Sequence, residues 1–260
     1  MGVIQTNEWL EELDGDLIGI CKKLRDYFPD ASVPDIHQHL LTFGMYNLSK
    51  DGSALSKKLF ENGAWSIVQQ EYEQLRQLWK GPDVPIFIFP SDPNNKLLTD
   101  EFSGKAGLSF QDKLFLFISP NNTEVEIKAL LTHEYNHVCR LAKYSKREVD
   151  YILLDTVILE GLAEMAVFER FGKEYNSKFL SLYSNEELEK LWREIVFFEK
   201  EQLKGTAIHY EVLYGMGSYP KMVGYCVGFY LVWNFLKDKT LHSDEILAIP
   251  SHKIAQLSTK

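Results

Sequence analysis

The chain is poor in cysteine: Cys21, Cys139 and Cys226 are its only three in 260 residues, far apart and without a CxxC pair. So sparse and odd a set provides no disulfide framework and suggests free, mostly buried thiols in a reducing, cytoplasmic compartment. Basic charge is also short. Lysine and arginine total 28 against 37 acidic residues, a formal net charge of -9. Such a surface repels phosphate backbones, and no basic stripe interrupts it, so nucleic acid is not the expected partner. Long apolar runs are missing as well. The most apolar stretch, residues 222–236, is shorter than the ~20 residues a membrane span needs, and it contains Gly224, Gly228 and Asn234. It reads as a buried helix. Residues 1–10 lack the basic and apolar regions of a secretory signal. No internal repeat or low-complexity tract occurs.

Hydrophobic residues make up 45% of the chain and aromatics 13%, enough for a well-packed core in one large domain or two close lobes. Apolar spacing predicts helices over residues 6–28 and 54–79. Gly81-Pro82-Asp83-Val84-Pro85 stops the second. Residues 85–119 change character. Ile86-Phe87-Ile88-Phe89 and Lys113-Leu114-Phe115-Leu116-Phe117-Ile118 read as strands, with Gly104 to Phe110 an irregular or edge strand between them. Thr123 and Glu126 form a capping box for a helix over 124–143. Further helices are expected over 148–171, 185–203 and 221–237, with 205–220 irregular. The expected class is α+β: a small, mostly antiparallel sheet, then a largely helical C-terminal half. Residues 1–84 would be a helical N-terminal region and 85–260 the metal-binding domain, or the whole would be one unit.

The chemistry concentrates at His133-Glu134-Tyr135-Asn136-His137. On an α-helix, residues four apart lie ~40° apart around the axis and ~6 Å along it, so both imidazoles can reach one ion. Catalytic zinc takes three protein ligands and leaves a position open for water. Glu134, next to the first histidine, is placed to take that water's proton. The segment is embedded among Ala129, Leu130, Leu131, Val138 and Leu141, where histidines and a glutamate without partners would be costly. Extension to a third histidine fails, because Arg140 and Lys143 stand at the required glycine and histidine positions. The third ligand is expected downstream in Ile158-Leu159-Glu160-Gly161-Leu162-Ala163-Glu164. There Glu160 would bind zinc, and Glu164, one turn on, would accept a hydrogen bond from a ligand histidine and fix its tautomer. Asp155 is a second candidate for that orienting role. Gly161 and Ala163 would let the two metal-binding helices approach closely.

These residues resemble the gluzincins, the thermolysin-like clan of zinc metallopeptidases that pair HExxH with a downstream glutamate. With Gly224-Tyr225-Cys226-Val227-Gly228-Phe229-Tyr230 added, residues 85–240 resemble more narrowly a bacterial family of predicted zinc-dependent proteases, the YjaZ-like group. The clan resemblance implies an edge strand beside the metal helix that pairs with an extended peptide. Here that strand would lie near Gly104 to Ser109 or Lys113 to Ile118. It also implies a tyrosine or histidine from the C-terminal half that stabilises the oxyanion. Tyr225, Tyr219, Tyr230 and His209 are candidates, and Tyr225 is favoured because it starts an apolar helix beside Gly224. The expected activity is zinc-dependent peptide-bond hydrolysis on a peptide or protein substrate. The alternatives are a zinc-binding regulatory or peptide-binding protein without turnover, and a zinc hydrolase with another substrate.

Overall fold

The computed structural model describes residues 2–47, 49–144 and 146–257. The chain divides into two units, Met1–Val138 and Cys139–Lys260, with the boundary inside one continuous helix.

The first unit is built on a four-stranded sheet in the order β1-β2-β4-β3: β1 (Gly2–Val3), β2 (Pro85–Pro90), β3 (Ala106–Ser109) and β4 (Leu114–Ile118). The α+β expectation holds, but the sheet is mixed rather than mostly antiparallel. β1 and β4 both run parallel to β2, and only β3 runs antiparallel to β4. The sequence carries the reason. β2 and β4 are unbroken apolar runs, buried at every residue, which is the pattern of parallel strands covered on both faces. The alternation within those runs sorts the side chains. In register, Phe87 meets Phe115 and Phe89 meets Phe117, while Ile86, Ile88, Leu114 and Leu116 point to the opposite face. Phe87 and Phe115 stack at 4.8 Å.

The phenylalanine face forms one core with Leu10, Leu17, Ile20, Leu24, Ile36, Leu40 and Tyr46. Those residues come from α1 (Thr6–Glu12), α2 (Leu17–Leu24), α3 (Val33–Thr42) and the segment after it. The helix expected over 6–28 is broken at Asp14 and Gly15, both with positive φ. The helix expected over 54–79 is two, α4 (Ser49–Glu61) and α5 (Ala64–Trp79), parted at the left-handed Gly63. α6 (Lys96–Glu101) links β2 to β3. α7 (Glu124–Lys143) starts at the expected capping box: Glu126 N–H donates to Thr123 Oγ1 at 3.3 Å and Thr123 N–H to Glu126 Oε2 at 2.8 Å.

The second unit is helical: the end of α7, then α8 (Leu153–Phe171), α9 (Asn185–Leu191), α10 (Phe197–Glu199), α11 (Ala207–Tyr214), α12 (Val223–Leu236) and α13 (Ser251–Ile254). α9 and α10 are joined by a π-helical turn, Trp192–Val196. α11 lies where an irregular stretch was expected. It is capped by Thr206, whose Oγ1 accepts from the His209 N–H. α8 crosses α12 at two glycines. A methyl on Gly161 would lie 2.3 Å from the Gly228 carbonyl, and one on Gly228 2.1 Å from Val157 O. Gly161 therefore serves the approach of α8 to α12, not the approach of the two metal-binding helices.

Backbone rather than a movable side chain blocks position 161, so overpacking cannot be relieved by a rotamer change. Gly161→Ala is expected to destabilise the protein by about 1–3 kcal/mol, read as a lower urea midpoint. A midpoint unchanged within error would show that the crossing yields more readily than this geometry implies.

Candidate metal centre

Three donors meet in a small volume. One ligand atom each from His133, His137 and Glu160 lies within 4.8 Å of the others. His133 and His137 stand one turn apart on α7, with ring centroids 4.7 Å apart and ring planes at 87°. Glu160 comes from the middle of α8. His137 and Glu160 are each 8% exposed and Glu134 is 7% exposed. Two imidazole nitrogens and a carboxylate oxygen form a zinc donor set with room for a fourth position.

The residues between the two histidines hold the helix. Tyr135 stacks on Trp79 at 5.9 Å and an 8° interplanar angle, meets Tyr72 edge-on at 5.2 Å, and donates its hydroxyl to Pro82 O at 2.8 Å. α7 is thereby keyed to α5 and to the turn that follows it, which fixes the rotation of the histidine face. Glu134 points toward β3. Its Oε2 accepts from Ser109 Oγ at 2.6 Å, and its carboxylate fills the space beside Gly107, where a methyl would lie 2.2 Å from Glu134 Cγ and Cδ.

α8 is anchored by a buried polar network at its start. Asp155 accepts from Ile152 N (3.1 Å), Tyr144 Oη (3.2 Å), Lys146 Nζ (2.5 Å) and Ser251 Oγ (2.7 Å). Arg140, 1% exposed, donates to Leu247 O, to Ile249 O and to Ser251 Oγ, and lies over the Tyr144 ring. Asp155 thus binds the C-terminal segment and is not the histidine-orienting acid that the sequence allowed. Arg140, which stands where the third-histidine extension needs a glycine, clamps residues 247–251. A buried cation with five donors needs such a set of acceptors.

Farther along α8, Glu164 accepts from Asn176 Nδ2 (2.7 Å), Ser177 Oγ (2.5 Å) and Ser177 N (3.2 Å). The carboxylate beside Cys226 and the thiol's burial, chiefly the latter, push that thiol up to about 12, so it stays protonated. The oxyanion candidates scatter. Tyr225 is half-buried, edge-on to Phe179 at 5.3 Å and tilted against Tyr214 at 5.8 Å. Tyr230 lines a groove with Trp192 and Ile254. His209 is buried, and its Nε2 lies 3.0 Å from the Oγ1 of Thr156, one turn before Glu160 on α8. Burial, and then Lys204, lower the His209 pKa and keep its imidazole neutral. The Arg140 clamp and the contact of Ser109 and Gly107 with Glu134 were not read from the sequence, which offered Gly104 to Ser109 only as one of two candidates for a strand beside the metal helix.

A family of predicted zinc-dependent proteases, DUF2268, matches residues 64–256. The chain belongs to this family. It is 38% identical over 254 residues to "Uncharacterized protein YjaZ" of Bacillus subtilis (strain 168), covering 96% of this chain and 97% of that protein. It is also 24% identical over 195 residues to "Uncharacterized protein YjfC" of the same organism, covering 71% and 63% of the two chains. No solved structure matches it. The family match spans β2, β3 and β4 and the two helices that supply the donors, and its description agrees with the donor set. Among the described residues no helix is long and apolar enough to cross a membrane.

The ligand assignment predicts a ranking. With Glu160 as ligand and Glu164 as a supporting residue, Glu160→Ala would weaken zinc binding by well over the ~10–100-fold expected for Glu164→Ala. Competition with a chromogenic chelator measures both. A larger loss in Glu164→Ala than in Glu160→Ala would reverse the two roles.

Proposed function

We propose that the protein is a zinc metallopeptidase of the HExxH, gluzincin-like type, in which His133, His137 and Glu160 hold the metal and Glu134 is the general base. The carrying observation is the convergence of the three donors, with Glu134 next to His133 in the helical turn that joins the two histidines. Zinc held there would polarise a scissile carbonyl and acidify a water. Glu134 takes the proton from the attacking water and passes it to the departing amine, a task for a carboxylate within about 3 Å of both. A purely structural metal site has no use for a carboxylate there. Glu164, itself fixed by Asn176 and Ser177, keeps the proposed role of orienting a ligand histidine. Tyr225 remains the proposed oxyanion partner, with His209 on α11 the rival favoured by its contact with Thr156, one turn from Glu160 on α8.

β3 supports a peptide or protein substrate: it is an edge strand of the sheet, and its residues are half-buried where those of β4 are fully buried. An extended chain pairing with that edge would satisfy its own backbone groups along the strand that carries Ser109. The three free, buried cysteines fit the reducing cytoplasm we propose as its compartment.

Glu134→Gln keeps the shape of the site and removes the base. It should retain zinc and lose peptide hydrolysis by ~10²–10⁴-fold, read by product release from a fluorogenic peptide library. An active Glu134→Gln protein would refute the mechanism. A zinc-loaded wild type that cleaves no peptide in the library would favour a binding protein or a hydrolase for another substrate.

A further inference from the structure

We propose that Ser109 is a positioning residue which, with Gly107, forms a cradle on β3 that fixes the carboxylate of Glu134. The inference rests on the proposed role of Glu134 as base and goes beyond it by naming what holds that base in place. Gly107 and Ser109 are two residues apart on a strand, so their side-chain positions share one face. Ser109 Oγ lies 2.6 Å from Glu134 Oε2 and 2.9 Å from the main-chain oxygen of the same residue, both within hydrogen-bond distance. A single hydroxyl thus has one proton to share between the carboxylate, which is nearer, and the main-chain oxygen of Glu134. On the other side, a methyl at Gly107 would fall 2.4 Å from Oε1, so the carboxylate occupies the room that the glycine leaves.

A glutamate has three rotatable bonds, and a base that swings by an ångström loses on the order of 10²-fold in rate. The cradle removes that freedom. It rests on a rigid support, because Gly107 pairs with Leu116 and Ser109 with Leu114 of the fully buried β4. A serine used only for packing would not need its oxygen aimed at the carboxylate. The hydroxyl, not the volume, is what the geometry uses.

The test takes the full chain loaded with zinc and applies two probes, a fluorogenic peptide for turnover and acetohydroxamate for binding. A hydroxamate chelates the metal and gives its proton to the adjacent base, so its affinity reports the placement of Glu134 without turnover. Ser109→Ala should keep one zinc per chain, lose kcat by about 10–100-fold with little change in KM, and bind acetohydroxamate about tenfold more weakly. Ser109→Thr should restore both. Ser109→Ala with wild-type kcat and hydroxamate affinity overturns the proposal, as does loss of zinc in step with activity that threonine does not repair. If wild type cleaves no peptide, the peptidase reading fails alone. The hydroxamate then decides for Ser109: weakening by Ser109→Ala and Glu134→Gln alike supports the cradle, and indifference to Ser109→Ala overturns it.

Discussion

Everything in the site depends on holding polar donors in place where water is scarce. His137, Glu160 and Glu134 are nearly buried, and a desolvated imidazole or carboxylate is stable only with a fixed partner. A metal bound by His133, His137 and Glu160 would supply that partner, and the surrounding structure keeps the donors in register for it. The rotation of α7 is set by Tyr135 against Trp79 and Tyr72. The start of α8 is set by the Asp155 and Arg140 network, and its middle by the glycine crossing with α12. Packing and buried hydrogen bonds thus do work that the ligands cannot do for themselves.

Around α7 the labour is divided by angle. Histidines four apart share one face, Glu134 turns toward β3, and Tyr135 turns toward α5. Neighbours in sequence are ~100° apart on a helix, so a five-residue segment can address three environments at once. That geometry ties the proposed chemistry to the sheet: the strand edge suited to a peptide is the same strand that grips the base.

What the sequence made legible was whatever follows from local periodicity and local chemistry. The spacing of His133 and His137 survives in any helix, and the Thr123 capping box needs only four residues. The β-rich run of residues 86–89 announced a strand. Strand direction was not legible, because parallel pairing of β1 and β2 joins residues more than 80 apart. Nor was the break at Asp14-Gly15, where two positive-φ residues override a continuous apolar pattern. The cradle of Gly107 and Ser109 was hidden for the same reason as the clamp at Arg140. Their partners are 25 and more than 100 residues away, and no local pattern encodes such a meeting. Gly161 was rightly marked as a point of close approach, but sequence could not say to which helix.

The central claim is that these donors hold one catalytic metal ion, and metal content tests it most directly. Wild type purified without chelators, beside His137→Ala, is measured by elemental analysis. The account predicts about one zinc per chain in wild type and its loss in the variant. Wild-type protein that carries no zinc and takes up none on addition would contradict it.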